Sequence, residues 1–310
     1  MYPTLIRLGN FEITTFGVLV ATGALAGLWI LSREVARSGL PAQAVDAALI
    51  GVLGGLFGAK LFWAVEFRAD APFFDLLLSR GGLSWFGGFA GGVSAGLWSL
   101  GRRRVPLMPT LSAAAPALAV GHAIGRIGCF LVGDDYGRPT DVPWGVAFPR
   151  GLPPTLDPVH PTQLYEAAGL LPVAWLLIRW RRRGVPDAGV FGRYLVMAGA
   201  LRFVIEFVRV NAPVAGPLTL AQIFSLAAAG VGVVLISKSS SAGAVNPERR
   251  PRHRNHRDKG RTMERDVVCG MQVDPSKAAG TSEYNGVTYY FCAKACKTKF
   301  DADPGKYAGK

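Results

Sequence analysis

The stretch "EITTFGVLVATGALAGLWILS", residues 12–32, carries one acidic residue at its edge and then twenty residues without a formal charge. A helix needs about 20 predominantly apolar residues to cross a bilayer, so this run reads as a membrane span. Six more segments of similar character follow, near 44–65, 83–100, 107–125, 161–179, 189–208 and 217–237. Half of the 310 residues are hydrophobic and the mean hydropathy is +0.28, with apolar residues gathered into runs and not spread at amphipathic spacing. The expected fold is therefore an all-α polytopic membrane protein with seven transmembrane helices. The start, "MYPTLIRLGNFEITTFG", has polar residues before the apolar run and no A-x-A-like cleavage site, so the first helix is read as a retained anchor.

A formal charge of +13 raises the possibility of a nucleic-acid partner, but the placement of the basic residues points to membrane lipid instead. They cluster beside apolar runs: Arg33 and Arg37, then Arg102 to Arg104, then "RWRRRG" from Arg179, then the segment after Ser237. Basic loops stay on the cytoplasmic side, so the N-terminus is expected outside and the C-terminus inside.

Residues 1–237 are expected to form the membrane body. Residues 238–261, "KSSSAGAVNPERRPRHRNHRDKGR", cannot bury a core and read as a disordered basic linker attracted to anionic headgroups, with His253 and His256 as weaker metal-ligand candidates. Residues 262–310 read as a small α+β cytoplasmic domain, in which "GVTYYF" alternates like a strand and "AKACKTKF" has helical character. Cys269, Cys292 and Cys296 all lie there, in a compartment where thiols stay reduced and serve either as metal ligands or as small core residues.

Ionisable side chains at membrane depth cost about 3 kcal/mol each on insertion scales, so they face a protein interior or a wet cavity and are functional candidates. The set is Lys60, Arg126, Asp134, Asp135, Arg138, His160, Glu166, Arg202, Glu206 and Arg209. In "LRFVIEFVR" the spacing puts Arg202, Glu206 and Arg209 on one helical face, as a self-neutralising structural ladder or as part of a site. In "HPTQLYEAAGLL", Pro161 suits a helix start and places Glu166 just inside it. Arg126 falls at the outer end of the fourth helix, where Asp134, Asp135 or a phospholipid phosphate would compensate it; the planar guanidinium suits a phosphate bidentately.

These residues together resemble the prolipoprotein diacylglyceryl transferase family over roughly residues 10–237. The carrying pieces are "GAK" at 58–60, "GRIG" at 125–128, "GDDYGR" at 133–138, "WG" at 144–145, "HPTQLYE" at 160–166 and "LRFVIEFVR" at 201–209. The resemblance implies a multi-pass enzyme of the bacterial inner membrane with its site toward the outer face and no cofactor. It would transfer a diacylglyceryl group from phosphatidylglycerol to the lipobox cysteine thiol of exported preprolipoproteins. It also implies Arg126, Arg202 and Glu206 as catalytic, with Lys60, Gly87, Gly88, Asp134, Gly137, Arg138, His160, Glu166 and Arg209 binding substrate. Three positions depart from the family pattern. Phe86 stands where the family has a histidine before two glycines, Phe16 where it has a tyrosine, and Cys129, read here as packing, where it commonly has asparagine. A repurposed lipid-binding relative, serving as membrane platform for the tail, is the competing expectation.

The tail resembles the YHS domain, through "VCGMQVDP" at 268–275, "YNGVTYYFCAKACKTKF" at 284–300 and "DPGKY" at 303–307. The C-x22-C-x3-C thiols favour a soft or borderline ion, Cu(I) or Zn(II), and no fourth ligand is evident from the spacing.

Overall fold

A computed structural model describes residues 4–9, 11–79, 82–244 and 263–308. They fall into two compact units, divided between Pro247 and Glu248.

The first unit opens with a hairpin of β1 (Thr4–Leu8) and β2 (Phe11–Thr14), which the sequence did not signal. The helix α1 (Thr15–Ser38) begins where the Thr14 hydroxyl accepts the Gly17 N–H and ends at Gly39, whose φ of 65° is the left-handed conformation that closes helices. There follow α2 (Gln43–Glu66), the short α3 (Phe73–Leu78), α4 (Trp85–Arg102) and α5 (Leu107–Val132). A hairpin of β3 (Val146–Phe148) and β4 (Thr155–Val159) leads to α6 (Thr162–Arg182) and α7 (Asp187–Glu206). A last hairpin, β5 (Pro213–Ala215) and β6 (Leu218–Thr219), precedes α8 (Leu220–Ala244). Seven long helices thus occupy the seven expected places. Five of them, α1, α2, α5, α7 and α8, are long and apolar enough to cross a membrane by length and composition.

Two boundaries differ from expectation. The apolar run of α7 does not continue through Arg209: the helix stops at Glu206, because the Val208 carbonyl accepts the Arg138 N–H and Arg209 bridges to Gly137. The linker does not begin at residue 238. The helix α8 runs to Ala244, its serines returning their hydroxyls to carbonyls of the preceding turn, Ser239 and Ser240 to Ile236. The remainder of the expected linker, from 245, with His253 and His256, lies outside the described residues.

Between membrane helices, small residues permit close backbone approach and dispersion then holds the pair together. The helices α2 and α4 use glycine for this. A Cβ on Gly87 would sit 2.2 Å from the Gly58 carbonyl oxygen, and one on Gly91 would sit 2.5 Å from that of Gly54. The central helix α5 presents buried alanines, Ala115, Ala119 and Ala123, to Leu170, Val173 and Leu177 of α6 and Val190 of α7. At its beginning, buried Arg181 of α6 reaches Glu34 of α1 at 2.9 Å, the Ser112 hydroxyl at 2.5 Å and Ser38 at 2.6 Å. This cation ties α1, α5 and α6 at one end of the bundle.

The second unit has β7 (Glu264–Arg265) paired with β8 (Gln272–Val273), a hairpin of β9 (Gly280–Tyr284) and β10 (Val287–Phe291), and α9 (Lys294–Ala302). The α+β expectation matches. Its core is small: Phe291 and Phe300, both fully buried, meet with ring centroids 5.2 Å apart, and Tyr289 covers Phe300 at 4.8 Å.

Candidate functional site

At the far end of α5 from the Arg181 contact, three arginines and three carboxylates from four segments form one network. Arg126, five residues before the helix reaches Leu131, puts its Nε 2.6 Å from Glu166 Oε2 and its Nη1 2.7 Å from Asp135 Oδ2. Glu166 is buried in the first turns of α6, where Pro161 starts the helix. The other Asp135 oxygen lies 2.6 Å from Arg209 Nη2. Arg209 also approaches Glu206, its Nε 3.8 Å from Oε2, and that oxygen is the ion-pair partner of Arg202. The second Glu206 oxygen accepts from Asn211 and from the Thr219 hydroxyl, each at 2.7 Å.

Local backbone structure makes this convergence possible. After α5 ends at Gly133, Asp135 takes a left-handed φ of 60° that turns its side chain back toward Arg126. Thr162 and Gln163, both buried at the start of α6, donate to the Asp135 and Asp134 carbonyls at 2.9 and 2.5 Å. Gly137 is held between strands of loop: its N–H donates to the His160 carbonyl, and a Cβ there would meet the Val208 oxygen at 2.5 Å and His160 Cβ at 2.8 Å. A residue with any side chain would push apart the segments that carry Asp135 and Arg209.

Burial opposes ionisation of Asp135, yet Arg209 and Arg126 outweigh it and hold its carboxyl below the usual carboxylate range. Asp134 goes the other way, pushed up by burial; its Oδ1 has no hydrogen-bond partner among the described residues.

The residues expected to act together are therefore sorted. Arg126, Glu166, Arg202, Glu206 and Arg209 are in the network, although Arg209 reaches it from beyond the helix. Gly137, Arg138 and His160 contribute backbone: the Arg138 N–H donates to the Val208 carbonyl and its carbonyl accepts from His160. The His160 ring faces the Tyr165 hydroxyl at 3.2 Å, and that hydroxyl also receives Trp144 Nε1–H. Lys60 is engaged elsewhere, with its Nζ 2.8 Å from the Ser79 hydroxyl and 4.5 Å above the Trp63 ring. Gly87 and Gly88 lie on the α2–α4 contact. Phe86 joins an aromatic group with Trp85 and Phe224 of α8. Phe16 lies against Gly128.

One residue went unnoticed in the sequence. His122 precedes Arg126 by four residues, hence on the same face of α5, and its Nε2 lies 3.4 Å from Glu166 Oε1. The i, i+4 spacing in "GHAIGRIG" was the available signal.

In the tail, Cys269, Cys292, Cys296 and Asp266 bring their ligand atoms within 4.8 Å of one another. The Cys292 sulfur is 3.3 Å from that of Cys269 and 3.8 Å from that of Cys296. Bonds of about 2.3 Å to one tetrahedral ion would put two thiolates about 3.8 Å apart, so the thiols fit a shared soft or borderline cation. Asp266, fully buried, uses its carboxylate otherwise: Oδ1 accepts the Val268 N–H at 2.9 Å and Oδ2 the Cys292 N–H at 2.9 Å. Those backbone donors outweigh burial and hold its carboxyl at about 2. A hydrogen bond to Asp266 in turn pushes the Cys292 thiol up, and burial does the same to Cys296.

Fold and network together define a multi-pass membrane protein with a buried arginine cluster suited to an anionic group. The prolipoprotein diacylglyceryl transferase family model matches residues 3–238, and the YHS domain model matches residues 265–310. The chain belongs to the prolipoprotein diacylglyceryl transferase family and carries a YHS domain at its end. Curated relatives named phosphatidylglycerol–prolipoprotein diacylglyceryl transferase include that of Geobacter sulfurreducens, 35% identical over 235 residues, covering 72% of this chain and 89% of the relative. Those of Vibrio atlanticus and Nitratidesulfovibrio vulgaris (strain DP4) are 32% and 33% identical, covering 79% and 78% of this chain and 93% and 95% of theirs.

Proposed function

We propose that this chain transfers the diacylglyceryl group of phosphatidylglycerol to the lipobox cysteine of exported preprolipoproteins. The observation that carries the reading is Arg126, buried near the end of an apolar helix and held between Glu166 and Asp135. In the reaction the cysteine sulfur attacks the glyceryl carbon that bears the phosphate, the carbon–oxygen bond breaks, and its electron pair leaves on glycerol phosphate. Guanidinium donors fixed beside that oxygen stabilise the charge as it develops. Arg126 and Arg202 bind the phosphate, with Arg209 adding positive charge. Glu166 and Glu206 orient the arginines; with both oxygens of Glu206 occupied, it is not the base for the thiol.

In this reading all seven long helices cross the inner membrane, α4 and α6 included, because each packs along a strongly apolar partner, α2 and α5. The N-terminus lies outside, so the Arg126 network faces the outer leaflet, and the tail lies in the cytoplasm. The tail holds Cu(I) or Zn(II) through Cys269, Cys292 and Cys296, with Asp266 fixing the backbone that presents two of them.

The test is lipidation of a reporter lipoprotein in cells depleted of their own transferase. The wild-type chain restores labelling, Arg126→Ala and Arg202→Ala abolish it, and Cys129→Ala retains it. A well-expressed wild-type chain that leaves the reporter unlabelled overturns the transferase reading in favour of a lipid-binding platform.

A further inference from the structure

We propose that His122 accepts the proton of the attacking thiol; this rests on the transferase reading above. A neutral thiol is a poor nucleophile, and the step therefore needs a group with an accessible lone pair beside the phosphate cradle. The carboxylates of the network are occupied. Both oxygens of Asp135 face arginines, both of Glu166 face Arg126 and His122, and Glu206 is sealed by Arg202, Asn211 and Thr219. Asp134 has an unpartnered oxygen, but that atom is buried and out of a substrate's reach. His160 is turned to Tyr165. Phe86 has no lone pair to offer.

His122 differs in both respects. Its side chain is 47% exposed, and it stands one helical turn from Arg126 on the same face of α5. Gly125, three residues on from His122, is flanked by open space: a Cβ built on it would meet no heavy atom within 4 Å among the described residues. The charged groups acting on His122 are Glu166 from α6, Arg126 from its own helix and Arg202 from α7. Glu166, the one anion among them, lies at Nε2, which selects the tautomer protonated there and leaves the Nδ1 lone pair free for the thiol. A carboxylate that orients an imidazole and stabilises its protonated form is the arrangement of a general base.

The balance closes without another reactant. The thiol proton moves to Nδ1 as the sulfur–carbon bond forms and the carbon–oxygen bond breaks. The departing phosphate, held by Arg126, then takes the proton from the imidazolium, and His122 is neutral again.

The experiment uses the purified full chain in detergent with phosphatidylglycerol and a lipobox peptide. His122→Gln is expected to lower kcat by about 100-fold or more while KM for phosphatidylglycerol stays within about twofold. The kcat of the parent should fall as the pH is lowered far enough to protonate the imidazole, and that of His122→Gln should show no such fall. A peptide with selenocysteine at the lipobox position, already ionised at neutral pH, should restore His122→Gln and not Arg126→Ala. Parental activity in His122→Gln, or a loss that selenocysteine leaves unrepaired, overturns the assignment. So does selenium rescue of Asp134→Asn in place of His122→Gln. Each of these leaves the transferase reading standing as long as the wild-type chain lipidates the peptide; a wild-type chain that does not removes both.

Discussion

Replacing Gly87 by alanine should loosen the α2–α4 pair in a way that can be worked from the structure. The new methyl would meet the Gly58 carbonyl oxygen at 2.2 Å and Phe62 Cβ at 2.4 Å. Neither can be avoided by rotation, because a Cβ has no rotamer and the oxygen belongs to a helix backbone. Reaching an ordinary separation of about 3.2 Å or more requires α4 to move away by roughly 1 Å, and a gap of that size forfeits a quarter to a half of the dispersion energy at each facing contact. Overpacking of this kind costs about 1–3 kcal/mol. At about 2–4 °C per kcal/mol for a unit of this size, the melting temperature should fall by about 2–12 °C. The assay is a thermal melt in detergent followed by tryptophan fluorescence, with Gly101→Ala as comparison. A Cβ on Gly101 meets nothing within 4 Å among the described residues, so that variant should be neutral or slightly stabilised by better helix propensity. If Gly87→Ala melts together with Gly101→Ala, the glycine contact does not hold the pair.

Three further outcomes follow from other parts of the molecule. Gly125→Leu should fill the open space beside His122, raising KM for phosphatidylglycerol several-fold with little change in melting temperature; unchanged kinetics would show that lipid does not use this space. Asp266→Ala should strand backbone N–H groups in the turn and at Cys292, destabilising the tail by about 2 kcal/mol and lowering its metal stoichiometry in a zinc titration. The same carboxylate gives a pH dependence. Held at about 2, below its unfolded value near 3.9, it contributes stability above pH 4 that disappears as pH falls toward 2, which a circular-dichroism melt of the full chain at pH 7 and pH 2.5 would read.

Apolar run length made α1, α2, α5, α7 and α8 readable, since each is long and apolar enough to define itself without tertiary help. Their ends were less readable. The stop at Glu206 is set by a loop seventy residues upstream, whose Arg138 takes the Val208 carbonyl, and no local signal encodes that pairing. The residues of the arginine network were visible as charges out of place, and spacing announced the pairing of Glu206 with Arg202 and Arg209, but the pairing of Arg126 with Glu166 was not visible. Glu166 and Arg126 are forty positions apart, and Asp135 owes its role to a left-handed turn. Asp266 was hidden for a different reason. Its partners are backbone N–H groups, which every residue possesses, so nothing in the spacing of the cysteines pointed to it.

The central helix is pinned near both ends, at Ser112 by Arg181 and at Arg126 by Glu166 and Asp135. Fourteen residues separate the two pins, about 21 Å along the axis, whereas the hydrocarbon slab of a bilayer is about 30 Å thick. Both polar layers cannot then lie at the surfaces of an undisturbed membrane. The protein sets the depth of its own arginines, and at least one of the two layers lies inside the slab, where the surrounding helices shield it from hydrocarbon. On the proposed reaction, a lipid phosphate would have to come to the level at which the protein holds Arg126, which makes bilayer thickness a variable that bears on access to the site.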